Sequence, residues 1–194
     1  MKKLVLAGVV MMAASSLQGC ISLPVLALAG AGATGVMIAQ DRRTSGVFVE
    51  DESIENKAVT SIDKGIPKNR VHINITSFNR NVLISGEALT NADRAEVARL
   101  VANVANVRNV YNEVIVAPLS SVSTRSNDTV ITGDVKMGFA QTKDFKSDLV
   151  KVVTENGTVF LMGLVDHNEA AIATDVASRT NNVQRVVKLF EYID

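Results

Sequence analysis

The chain is 194 residues long, and its 20 Lys and Arg balance 20 Asp and Glu, so the formal net charge is zero and speaks against nucleic acid as a partner. A single cysteine excludes an internal disulfide. With no Trp, six Phe and two Tyr, the core must be aliphatic, built from Val, Ile, Leu and Ala.

Met1-Lys2-Lys3 is basic, Leu4 to Leu17 is apolar with small residues and Ser15-Ser16 as the only interruptions, and Gly19 is small. That order is the pattern of an export signal. Leu17-Gln18-Gly19-Cys20 resembles a bacterial lipobox. The resemblance implies that residues 1–19 are a signal peptide cut off before Cys20, and that Cys20 carries an N-acyl diacylglycerol. A thiol is nucleophilic enough near neutral pH for that transfer, so the lone Cys reads as a lipid attachment point. Each buried acyl methylene contributes ~0.8 kcal/mol, and two or three chains anchor a protein more or less permanently. By analogy with other lipoproteins, Ile21 rather than Asp after the Cys favours the outer membrane, and a lipid-anchored location on its periplasmic face is expected. No other cofactor is expected.

Residues 20–49 form a membrane-proximal segment whose apolar run, Leu23 to Ala39, is 17 residues long. This is at the lower edge of a bilayer span, and Gly30, Gly32 and Gly35 weaken it as a helix. Ala27, Ala31 and Gly35 make a small-residue face. The segment reads as lying on the leaflet beside its own acyl chains; an inserted helix and a loose linker are the alternatives. Asp41-Arg42-Arg43 marks the exit into water.

Two domains follow, 50–118 and 126–194. In the first, an amphipathic helix from about Ser53 to Asp63 ends at Gly65 and Pro67. Val71, Ile73 and Ile75 alternate with His72, Asn74 and Thr76 as a half-buried strand. Asn79-Arg80-Asn81 turns into a strand from Val82 to Ala88. Thr90 or Asn91 caps a helix with Ala95, Ala98 and Val101 inward, and Val110 to Val116 is a third strand. In the second domain Val150 and Val152 lie on a strand, and Glu155-Asn156-Gly157 is a hairpin turn with the strong Asn-Gly signal. Val159 to Val165 follows, then a helix opened by His167 or Asn168 over Ala170 to Arg179, then a strand from Val186 to Ile193.

The two domains are copies. Val82-Leu83-Ile84-Ser85-Gly86 recurs 77 residues on as Val159-Phe160-Leu161-Met162-Gly163, and the same offset carries Ile54, Ala58 and Ile62 onto Ile131, Val135 and Phe139. Asn106-Val107-Arg108-Asn109-Val110 matches Asn182-Val183-Gln184-Arg185-Val186 at an offset of 76. The repeated V-x-L-x-G, and G-V-x-x-V with Asn106 and Asn182 in place of its glycine, resemble the BON domain. Asn is the residue next to glycine in tolerating the left-handed conformation that ends a helix, so the departure keeps the mechanism. The resemblance implies an α+β fold: two tandem αββαβ BON domains, each a three-stranded mixed sheet packed against two helices.

With the lipobox, Ser126-Asn127-Asp128-Thr129 and Thr154-Glu155-Asn156-Gly157, the chain is similar to dual-BON outer-membrane lipoproteins. That similarity implies a protein that binds anionic phospholipid, gathers at division sites, and supports envelope integrity and outer-membrane protein assembly, with the assembly machinery as a partner. A protein-binding adaptor without lipid recognition and a membrane-disrupting haemolysin-like lipoprotein are the alternatives.

Material for catalysis is scarce. His72 and His167 lie in different domains with no Cys or His partner at ligand spacing, so no metal site is read. Asp93 and Glu96 share a helix surface and read as a solvated face. No enzyme is expected. The lipid-site candidates lie on the first helix of the second repeat. Ile131, Val135 and Phe139 form its core stripe, whereas Val130, Gly133 and Met137 form a second apolar stripe with polar counterparts in the first repeat, Ser53, Asn56 and Thr60. Lys136 and Lys143 are close enough in sequence to meet lipid head groups. The other reading of this stripe is packing against the first domain.

Overall fold

The computed structural model describes residues 41–193; the signal, Cys20 and the apolar run fall outside the described residues. The elements run α1 (Ser45–Gly65), β1 (Val71–Phe78), β2 (Asn81–Ala88), α2 (Asn91–Ala102), β3 (Asn109–Asn112), β4 (Ile115–Val116), α3 (Val122–Gln141), a short 3-10 turn (Ser147–Leu149), β5 (Val150–Glu155), β6 (Thr158–Val165), α4 (His167–Arg179) and β7 (Arg185–Tyr192). Each repeat is an antiparallel hairpin, β1-β2 or β5-β6, whose second strand takes a parallel partner after a crossover helix. The fold is α+β with two mixed sheets.

Local chemistry sets the element ends. Thr44 Oγ1 accepts from Val47 N–H and starts α1 at Ser45, eight residues before the expected start, because Phe48 and Val49 break the apolar period while the cap does not depend on it. Thr90 caps α2, and Asp166 with Glu169 forms a reciprocal capping box on α4. Asn106 and Asn182 have φ of 71° and 65°, the left-handed conformation expected of them. Two expectations need correction. On α2 Val101 is buried and Ala98 packs against the core as expected, but Ala95 is exposed, and Asp93 and Val97 are the other inward residues. The third strand of the first repeat is broken at Glu113-Val114, where Val114 turns into the core, so β3 and β4 pair separately with β2.

The motif glycines are explained by backbone approach. A Cβ on Gly86, whose φ is +115°, would lie 2.0 Å from the carbonyl oxygen of His72 on β1. One on Gly163 would lie 2.6 Å from the Leu149 carbonyl oxygen. The hairpins close only where no side chain intervenes.

An aspartate on each long helix holds the hairpin turn of its repeat. Asp51 is buried and accepts from Asn79 N–H (2.8 Å), Arg80 N–H (2.7 Å) and Ser77 Oγ (2.7 Å). Asp128, 77 residues on, accepts from Asn156 and Gly157 N–H, both at 2.9 Å. Asn79, Arg80, Asn156 and Gly157 all have positive φ, so a buried carboxylate stabilises a turn that L residues disfavour.

Each repeat has its own core between helices and sheet. Ile54, Ala58, Ile62, Val82, Ile84, Val97 and Val101 fill the first, and Ile131, Val135, Phe139, Val159, Leu161 and Ala173 fill the second. A third cluster lies on the opposite sheet faces, where Phe78 and Leu83 of the first repeat meet Phe160 and Met162 of the second. The sheets therefore pack against each other, and their central strands β2 and β6 are buried on both faces. Ion pairs rim this junction: Lys151 Nζ reaches Glu55 at 2.9 Å, and Arg108 reaches Glu191 at 3.2 Å.

Candidate functional site

The outer face of α3 is the first candidate. At 100° per residue, Val130, Gly133 and Met137 lie about opposite the stripe of Ile131, Val135 and Phe139. The core stripe is buried as expected. Val130 and Met137 are 58% and 59% exposed, and nothing lies within 4 Å of a Cβ built on Gly133. Packing of this stripe on the first repeat is thereby ruled out; the junction is made by the sheets instead. Val122 and Ala140, which the sequence reading passed over, are exposed on the same side. Lys136 is exposed at its margin, and Lys143 and Lys146 are exposed in the segment after the helix, where Asp144 and Asp148 are exposed as well. Asp134 is also exposed close by, so the surface is not purely cationic.

The segment entering α1 does not simply run out into water. The Arg43 guanidinium is nearly buried, bridging Asp41 (2.6 Å) and Asp51 (2.8 Å) and lying 4.0 Å over the Phe78 ring. Arg42 forms a forked pair with Glu169 of the second repeat, at 2.6 and 2.9 Å, and donates to the Leu164 carbonyl at 2.9 Å. The chain behind the tether is thus fixed to both repeats. Hydrogen bonding to Arg43 holds the Asp41 carboxyl below its ordinary range against the opposing cost of burial.

Asp93 is also misjudged by the sequence reading: it is buried, not on a solvated face, and pairs with Arg70 at 2.8 Å. Glu96 does lie on the surface, paired with Arg99.

The sheet faces bring together a second constellation that sequence spacing does not reveal. Strand alternation places His72, Asn74, Ser85 and Glu87 on the junction face of β1 and β2, and Glu155 on that of β5. His72 Nδ1 lies 3.1 Å from Glu87 Oε2 and 3.8 Å from Glu155 Oε1. Glu87 and Glu155 are buried and His72 is half-buried. Burial pushes the Glu155 carboxyl above its ordinary range; the Asn74 hydrogen bond and His72 oppose this, and the charges of Glu87 and Asp128 add to it. The donors belong to different repeats, so only the folded junction makes them neighbours.

Tandem αββαβ units with these turn and glycine positions define a class, and the BON domain pattern matches residues 50–118 and 127–194. The chain belongs to the BON domain family. It is 36% identical over 180 residues, 92% of its length and 91% of the relative's, to the outer membrane lipoprotein DolP of Haemophilus influenzae. It is 32% identical over 154 residues, 79% of each chain, to the 21 kDa hemolysin of Actinobacillus pleuropneumoniae. The C-terminal domain of CdsD from Chlamydia trachomatis, a structural protein of type III secretion, superposes with a TM-score of 0.30 at 11% identity over 72% of this chain and 96% of that one, too loosely to inform function. The protein is a dual-BON, lipid-anchored outer-membrane lipoprotein, in the location that the Cys20 motif and Ile21 lead one to expect.

Proposed function

We propose that the protein, acylated on Cys20 and facing the periplasm, binds anionic phospholipid through the outer face of α3 and supports envelope integrity and outer-membrane protein assembly, at division sites and without catalysis of its own. The observation that carries this reading is the exposure of Val130 and Met137 on a face with no partner among the described residues. Val122, Val130, Met137 and Ala140, with Lys136 on the same helix and Lys143 and Lys146 in the loop that follows, make a small area for a protein partner. They suit shallow insertion among acyl chains with cations at head-group level. Direct lysis is the second reading, favoured by the relative named as a hemolysin.

Acyl-free chains comprising residues 41–194 and 21–194 are to be mixed with dye-loaded vesicles of anionic or neutral lipid. The shorter chain is expected to float with anionic vesicles only, without dye release. Met137→Asp should abolish flotation at an unchanged melting temperature, and Val130→Trp should strengthen it, since an indole buries more area and favours the interface. Leakage requiring residues 21–40 supports lysis. No flotation of either chain supports a protein-binding adaptor in its place.

A further inference from the structure

The polar cluster at the junction is more elaborate than two packed sheets require. Around His72 Nδ1 lie Glu87 Oε2 at 3.1 Å, Ser120 Oγ at 3.5 Å and Glu155 Oε1 at 3.8 Å. A ring nitrogen carries at most one proton, so it cannot donate to both carboxylates. Neither Glu87 nor Glu155 pairs with a Lys or Arg among the described residues, which leaves two buried carboxylates facing one imidazole.

The carboxylates are oriented alike. Each turns one oxygen to His72 and has the other held by an asparagine amide: Asn156 Nδ2 donates to Glu87 Oε1, and Asn74 Nδ2 donates to Glu155 Oε2 at 2.6 Å. Ser120 N–H adds a bond to Glu87 Oε2 at 3.2 Å. Outer hydrogen bonds of this kind fix metal-ligating carboxylates in other proteins. One further polar group lies on this face. Ser85, one step along the same face of β2 from Glu87 and opposite Asn74, is buried with no hydrogen-bond partner for its hydroxyl.

The spacing suits a cation. The three donor atoms all lie within 4.8 Å of one another. Donors bonded at ~2.0–2.2 Å to one ion are about 3 to 4 Å apart. We propose that His72 Nδ1, Glu87 Oε2 and Glu155 Oε1 bind one divalent transition-metal cation, with Zn2+ the best match, and that the ion clamps the two repeats together. A double positive charge neutralises the carboxylate pair. The imidazole favours Zn2+ over Mg2+ or Ca2+, which prefer all-oxygen shells. Ser120 Oγ or a water is placed to complete the shell, and the His72 side chain is 20% exposed.

The test uses the full chain in detergent, stripped with EDTA and titrated with Zn2+ by calorimetry. One equivalent is expected to bind and to raise the melting temperature. His72→Gln and Glu155→Gln keep a hydrogen-bonding side chain at the junction, so each should melt normally in EDTA yet lose Zn2+ affinity. That loss should exceed the ~10–100-fold typical of an outer-shell change, which Asn74→Ala should show. Absence of saturable binding by the wild type, or unchanged affinity in both glutamine variants, overturns the site. Co2+ gives a readout free of any variant: ligand-field bands of a four- or five-coordinate nitrogen and oxygen site support the proposal, and the spectrum of the aqua ion refutes it.

Discussion

Asp128→Ala tests the idea that a helix carboxylate holds each hairpin. The side chain is 5% exposed and gives one oxygen to Asn156 N–H and the other to Gly157 N–H, both at 2.9 Å. A hydrogen bond to a charged acceptor contributes ~1.5–3 kcal/mol, more than a neutral one. Alanine removes two, and water can re-solvate part of a turn, so the loss should fall near the lower sum, about 3–4 kcal/mol. For a folded unit of this size each kcal/mol moves the melting temperature by about 2–4 °C, which gives a drop of roughly 10 °C. Asp128→Asn keeps one acceptor oxygen and should lose about half as much. Asp51→Ala should be worse than Asp128→Ala, because Asp51 also accepts from Ser77 Oγ and pairs with the nearly buried Arg43. Urea and thermal unfolding of residues 41–194, followed by circular dichroism, give the values. A loss below about 1 kcal/mol for Asp128→Ala, or equal losses for Asn and Ala, would refute the reasoning.

Asn106 and Asn182 hold left-handed backbone, so Gly at either should be neutral or slightly stabilising, whereas Val should cost roughly 1–2 kcal/mol in the same melts; equal losses for Gly and Val would contradict that assignment. Cys20→Ser should yield a protein that neither incorporates palmitate nor fractionates with the outer membrane, and retention of both would show that the anchor lies elsewhere.

The stripes on α3 were readable because helical period sorts residues without knowledge of the partner surface: Ile131, Val135 and Phe139 are buried and Val130 and Met137 exposed. The Asn156-Gly157 turn was likewise local. The sheet-to-sheet junction was announced by the uninterrupted apolar runs Val82-Leu83-Ile84 and Val159-Phe160-Leu161-Met162, which signal strands buried on both faces. Taken as ordinary strands, they left Phe160 and Met162 without a destination. The 77-residue offset also pairs Asp51 with Asp128. His72, Glu87 and Glu155 offered no such handle, because register and docking, not spacing, bring them together. Arg43 was misplaced because a charge run ordinarily favours solvent, and only Asp51 and Phe78 in the folded chain give it a buried seat.

The sandwich of two sheets bears on how such a protein can be dissected. Cutting the chain between the repeats would bare Phe78 and Leu83 on one product and Phe160 and Met162 on the other, each set a patch with a strong tendency to aggregate. Each copy therefore covers an apolar sheet face of the other. A phenotype mapped to one repeat by truncation would report the loss of that shared cover together with the loss of any surface the repeat carries.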